Sequence, residues 1–140
     1  MQNMELEEGS RMRPDFSKRN GLLPVIVQDR ESKKVLMLGY SDEAALQKTL
    51  STRMATFWST SRQSLWTKGE TSGDYLYVHE VWIDCDQDAL LYLVEMQGQG
   101  VCHTRNAAGL ARRSCFYRAY DFEKRQLNHH DPLPKNEAED

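Results

Sequence analysis

The chain has 140 residues, 39% of them hydrophobic and 28% charged, with a formal net charge of −3. That length supports one hydrophobic core and not two. The mildly acidic balance, with no basic run, argues against nucleic acid as a partner, and no apolar stretch reaches membrane-spanning length.

Residues 1–13 are polar, rich in glutamate and without periodicity, which reads as a flexible arm. The arm has neither the basic start nor the apolar centre of a signal peptide, so a cytoplasmic protein is expected. Leu23-Pro24-Val25-Ile26-Val27-Gln28 reads as a strand, with Pro24 near its start where a missing N–H is tolerated. A polar turn over residues 29–34 leads into Val35-Leu36-Met37-Leu38 and predicts a hairpin. Ser41 is the expected N-cap of a helix, with Asp42 and Glu43 in its first turn and Ala45, Leu46, Thr49 and Leu50 on one stripe. Residues 54–58 and 65–68 are expected as short strands, and 75–83 and 89–96 as longer ones rich in aromatic and branched residues. Residues 126–140, broken by Pro132 and Pro134, read as a flexible tail, which leaves a folded domain over 14–125. The sum is an antiparallel-β-rich α+β domain with one clear helix.

The chemistry gathers between the two long strands. Asp84-Cys85-Asp86-Gln87-Asp88 packs three carboxylates and a thiol into five residues. If the segment is extended, alternation sends Asp84, Asp86 and Asp88 to one side and Cys85 to the other. Hard oxygens on one face suit Mg2+ or Ca2+, and the spacing is not that of an EF-hand loop. The thiol is then free to join Cys102 and Cys115, the only other cysteines, around Zn2+. Three thiolates leave a tetrahedral zinc one position short, as in catalytic sites that keep a water. Three cysteines also cannot pair into disulfides without a leftover. The plain alternatives are three buried thiols packed as small apolar residues, and a solvated acidic turn. His103 follows Cys102, points away from it on an extended segment, and suits a general base or proton shuttle better than a fourth ligand.

A second candidate region precedes the long strands. Trp58, Ser59, Ser61 and Arg62 are followed by Trp66 and by Lys68-Gly69-Glu70-Thr71-Ser72-Gly73. Glycine-exposed N–H groups with Arg62 and Lys68 nearby can hold a phosphate, although the order is not that of a P-loop. Trp66 suits either core packing or stacking on a base.

With these segments quoted, the chain resembles the phosphoribosyl-AMP cyclohydrolases of histidine biosynthesis. The resemblance rests on Lys68-Gly69-Glu70-Thr71-Ser72-Gly73, Asp84-Cys85-Asp86-Gln87-Asp88-Ala89-Leu90, Cys102-His103-Thr104 and Ser114-Cys115-Phe116, in the family's order. It implies an intertwined homodimer in which Cys85, Cys102 and Cys115 hold Zn2+ contributed to by both subunits, and Asp84, Asp86 and Asp88 hold Mg2+. It also implies hydrolytic opening of the N1–C6 bond of 1-(5-phosphoribosyl)-AMP to the formimino-aminoimidazole carboxamide ribotide, the third step of the pathway, by zinc-activated water. No second, helical pyrophosphohydrolase domain follows in this sequence, so the expected protein is the monofunctional form. One departure stands out. Residues 105–113 make the loop between Thr104 and Ser114 about twice the family's usual length, and Arg105 stands where glycine is usual; a longer loop adds little closure entropy.

Overall fold

Alternation along the first strand decides which side of the sheet becomes the core. In β1 (Leu23–Asp29), Leu23, Val25 and Val27 are fully buried while Ile26 faces out. The computed structural model describes residues 2–130, and the expected tail from residue 131 onward, with Pro132 and Pro134, lies outside them. β1 pairs antiparallel with β2 (Val35–Ser41) across the predicted turn, where Ser32 N–H donates to Asp29 Oδ2 at 2.8 Å. The long pair β5 (Leu76–Ile83) and β6 (Leu90–Met96) is also antiparallel. The two hairpins join through β1 and β6, which run parallel, giving one sheet ordered β2-β1-β6-β5. A strand pairing of that kind cannot be closed by a tight turn, so the chain between carries the remaining helix and a third hairpin.

That helix, α2 (Glu43–Thr52), follows α1 (Gln2–Glu8) in chain order. Its N-cap is Asp42, whose side chain accepts from Ala45 N–H at 2.8 Å, and not Ser41 as expected. Ser41 is drawn into the end of β2 opposite Leu23, fully buried, with its hydroxyl donating to Asp42 O. α2 buries Ala45, Leu46 and Thr49 in the core cluster side of the sheet. The helix ends where Arg53 turns left-handed (φ 66°) and returns its N–H to Thr49 O.

β3 (Thr56–Ser59) and β4 (Ser64–Thr67) form their own hairpin, which contributes Phe57 to the core beside Tyr92. Thr49 locks this hairpin to α2 by accepting from Thr56 N–H and donating to Thr56 O. Two features go beyond the expected pattern. The segment read as an arm contains α1, and residues 126–129, read as tail, form β8 (Gln126–His129) against β7 (Arg118–Asp121). The outer face of the sheet carries an apolar row across all four strands, with Gln28 and Glu80 on the row beside it. Leu38, Ile26, Leu91 and Trp82 make one cross-strand row, with Leu38, Ile26 and Trp82 41–57% exposed. Among the described residues no helix is long and apolar enough to cross a membrane.

Candidate metal centres and active site

The β5–β6 connection must reverse the chain within six residues, so Asp84 to Asp88 is a turn and not the extended segment that alternation assumed. Asp84 Oδ1 accepts from the N–H groups of Asp88 (2.9 Å) and Ala89 (3.1 Å), and Gln87 adopts a left-handed conformation, φ 57°. The outcome for the carboxylates is still convergence. One oxygen from each of Asp84, Asp86 and Asp88 lies within 4.8 Å of the others, and among the described residues this is the one such group of three or more acids, histidines or cysteines. Burial pushes the Asp84 carboxyl up from its ordinary value. Lys18 holds Asp88 well below it, and the two acids in turn raise the Lys18 ammonium. Lys18 Nζ lies 2.9 Å from Asp86 Oδ2 and 2.8 Å from Asp88 Oδ2. A cation thus already sits on an all-oxygen donor set, and hard divalent ions take such sets.

The thiols divide. Cys102 Sγ lies 2.9 Å from Thr104 Oγ1 and accepts from Thr104 N–H at 3.4 Å. Cys115 N–H donates to Leu36 O at 2.7 Å, so Cys115 docks on the free edge of β2. Burial and the neighbouring Cys102 push the Cys115 thiol up to about 11, against the opposing charge of Lys68. Cys102, Cys115 and Lys68 are therefore neighbours. Cys85 is exposed in the β5–β6 turn and is in none of this. Three strand spacings of about 4.8 Å separate β6 from the edge where Cys115 sits, roughly 14 Å, far more than two ligands of one zinc allow. One chain does not bring the three cysteines together.

The longer loop leaves and returns beside the thiol pair. Thr104 O accepts from Arg112 N–H, Cys102 N–H donates to Arg112 O, and Arg105 bridges Ala111. Asn106 Oδ1 takes the N–H groups of Ala108 and Leu110, so the extra residues close on themselves as a small side hairpin. His103 is exposed at its base, adjacent to Cys102.

In the second region, the β3–β4 register splits the tryptophans. Phe57 pairs with Trp66 on the core side, their rings 5.4 Å apart, whereas Trp58 pairs with Leu65 on the opposite face. Arg62 and Lys68 accompany Trp66, with Cζ and Nζ 5.9 and 5.7 Å from its ring centre. Ser59 Oγ accepts from Arg62 N–H and lies 3.4 Å from Ser61 Oγ. Glu70 folds back on its own loop, its carboxylate taking Thr67 N–H at 2.8 Å, and Ser72 Oγ likewise takes Asp74 N–H. Thr71, Ser72 and Gly73 stand exposed on the turn that Gly69 begins. Lys18, Arg19 and the buried Gln87 are the site neighbours that sequence reasoning missed. Their partners lie 68 to 81 residues away, a separation at which nothing local in the sequence marks the pairing.

A strand-rich α+β domain with converging carboxylates at one sheet corner and a thiol pair at another has donor sets that a metal ion could use. Similarity to known proteins narrows the class. Residues 37–117 match the family described as phosphoribosyl-AMP cyclohydrolase. Proteins of that name from Desulforapulum autotrophicum and Methanosarcina mazei are 53% and 55% identical over 104 residues, 74% of this chain and 78% and 81% of theirs. A histidine biosynthesis bifunctional protein of Haemophilus influenzae is 50% identical over 103 residues, covering 74% of this chain and 43% of its own length. The chain belongs to the phosphoribosyl-AMP cyclohydrolase family, hydrolases that act on a cyclic amidine bond.

Proposed function

We propose that the chain hydrolyses the N1–C6 bond of 1-(5-phosphoribosyl)-AMP in the cytoplasm, as a homodimer with one zinc and one magnesium site per chain. The observation that carries this reading is the separation of Cys85 from the neighbouring Cys102 and Cys115, with Lys68 beside the pair. A zinc site of three thiols is then completed only by a second copy. The outward apolar row Leu38–Ile26–Leu91–Trp82 supports a partner of the same chain, because a face of that kind is stabilised when covered.

Cys85 of one subunit with Cys102 and Cys115 of the other would hold Zn2+, which supplies the Lewis acidity that makes water a nucleophile near neutral pH. Asp84, Asp86 and Asp88 fit Mg2+ by their oxygen-only donors and by the ammonium already seated on them. In the substrate, the phosphoribosyl group on N1 leaves C6 electron-poor. Water adds to C6, the C6–N1 bond breaks, the proton passes to N1, and the exocyclic nitrogen remains as a carboxamide. His103, exposed beside Cys102, takes the proton from the attacking water and returns it to N1. Trp66, flanked by Arg62 and Lys68, offers a ring for the base and two cations for phosphate. Ser59, Ser61 and the Gly69–Gly73 turn complete the proposed substrate surface, Glu70 shapes its loop, and Trp58 lies on the other face of the hairpin, away from the Trp66 ring.

Turnover of 1-(5-phosphoribosyl)-AMP, followed by the ultraviolet change on ring opening, tests the reading. The purified zinc-loaded protein should open the ring, and His103→Ala should lower kcat by roughly 10²–10⁴-fold with zinc content unchanged. No turnover by the zinc- and magnesium-replete wild type would refute it. Loss of zinc in His103→Ala would make His103 a ligand instead.

A further inference from the structure

Lys18 sits where a cation belongs. Its Nζ is within hydrogen-bond distance of Asp86 and Asp88, two of the three carboxylates that converge within 4.8 Å. Acids gathered so closely repel one another, and the ammonium offsets that repulsion. Mg2+ needs carboxylate oxygens at about 2.0–2.1 Å in nearly octahedral order. An ammonium already engaging lone pairs of Asp86 Oδ2 and Asp88 Oδ2 obstructs that approach, and its charge repels a second cation.

The lysine is placed so that it can leave. Its side chain is 44% exposed, and its segment, between Asp15 and Gly21, belongs to no strand or helix. Arg19 is tethered differently. Its NH1 donates to the backbone oxygen of Asp88 at 3.2 Å, besides lying 3.4 Å from Asp88 Oδ2. The backbone bond does not depend on the carboxylates, so it would hold the segment in place with Lys18 turned away.

Resting on the magnesium reading above, we propose that Lys18 is an internal counterion of the acid turn that exchanges with Mg2+. Metal uptake is then a swap of one cation for another. The lysine keeps the metal-free turn folded, and in doing so weakens the affinity for Mg2+.

Calorimetric titration of Mg2+ into the zinc-loaded, magnesium-free full chain tests this, comparing wild type with Lys18→Met and Lys18→Arg. Removing two partly exposed ion pairs should let Lys18→Met bind Mg2+ roughly three- to tenfold more tightly, while Lys18→Arg stays near wild type. Lys18→Met should also melt at a lower temperature without Mg2+ and recover when Mg2+ is saturating. Equal or weaker binding by Lys18→Met overturns the exchange and leaves the magnesium site standing. Absence of Mg2+ binding by wild type and variant alike overturns both. Should Lys18→Met fail to fold, the unmodified protein decides the matter: saturating Mg2+ should speed acetylation of the Lys18 amine, followed by peptide mass spectrometry, and an unchanged rate overturns the proposal.

Discussion

Gln87 donates from its side-chain amide to the carbonyl oxygen of Leu6 at 3.1 Å, across 81 residues of sequence. The same amide donates to Arg11 O at 3.1 Å and accepts from Arg13 N–H at 2.5 Å. The N-terminal segment is thereby pinned to the acid turn through one buried side chain. Gln87→Ala should lower stability by about 1–3 kcal/mol, since it leaves those backbone groups without their partner. Gln87→Gly should lose about 1 kcal/mol less, because glycine accepts the left-handed φ that the turn requires. Urea denaturation of the two variants measures the order; an alanine variant as stable as wild type would mean the clamp contributes nothing.

Gly69 and Gly73 both have positive φ, but only one is hemmed in. A Cβ on Gly69 would fall 2.4 Å from Tyr75 N and 2.5 Å from the Asp74 carbonyl carbon, whereas nothing lies within 4 Å of one on Gly73. Gly73→Ala should therefore lose only about 1–2 kcal/mol, the left-handed penalty. Gly69→Ala should lose more, on the order of 3 kcal/mol, and displace Lys68 from Trp66. Thermal melts of the pair with substrate KM would check this, and equal effects would contradict the packing argument.

The split thiols make a mixing experiment decisive. Cys85→Ser chains and Cys102→Ser/Cys115→Ser chains should each purify without zinc at this site. Refolded together, random pairing should restore about a quarter of the wild-type zinc, because each mixed dimer rebuilds one of its two sites. Recovery of no zinc or activity on mixing would point to ligands drawn from one chain.

Tyr92 is fully buried in the core, its hydroxyl unpaired although Ser41 and Thr49 stand beside it. Burial pushes the phenol up to about 12. The sign follows from linkage. The unfolded tyrosine loses its proton near pH 10, the folded one near pH 12, so the folded chain holds more protons in between and stability falls as pH rises through that window. The loss attributable to this group should reach about 2–3 kcal/mol. Tyr92→Phe should abolish that part of the alkaline loss and be near neutral at pH 7. Identical denaturation midpoints for the two proteins between pH 10 and 12 would rule it out.

The strands that build the main sheet were legible because one face of each is buried, and alternation or apolar runs report burial. β7 and β8 were not, because their side chains are almost all exposed and no core imposes a pattern on them. The cap fell on Asp42 because two capping residues stand side by side and strand pairing claimed the first. Convergence of Asp84, Asp86 and Asp88 was legible, but its stated cause was not: reversal between antiparallel strands gathers them, and extension would have kept them apart in level. Trp58 was grouped with Trp66 by nearness in sequence, while register sends them to opposite faces. Lys18 and Gln87 escaped notice since pairings at such separations leave no local trace.

The parallel contact between β1 and β6 carries a kinetic consequence. Among the described residues every other strand pair is an antiparallel neighbour in sequence, able to close early, but this one joins Val25 to Leu90 across most of the domain. Long closures come late in folding, since their entropy must be met before the contact forms. Lys18, Arg19 and Asp15 reach the acid turn from the segment just before β1, so their contacts wait for that closure. The three carboxylates, by contrast, belong to the local β5–β6 hairpin and need no such closure, so magnesium should act before the slow step and speed refolding. Stopped-flow refolding unchanged by Mg2+ would mean that the turn takes its shape only after β1 and β6 pair.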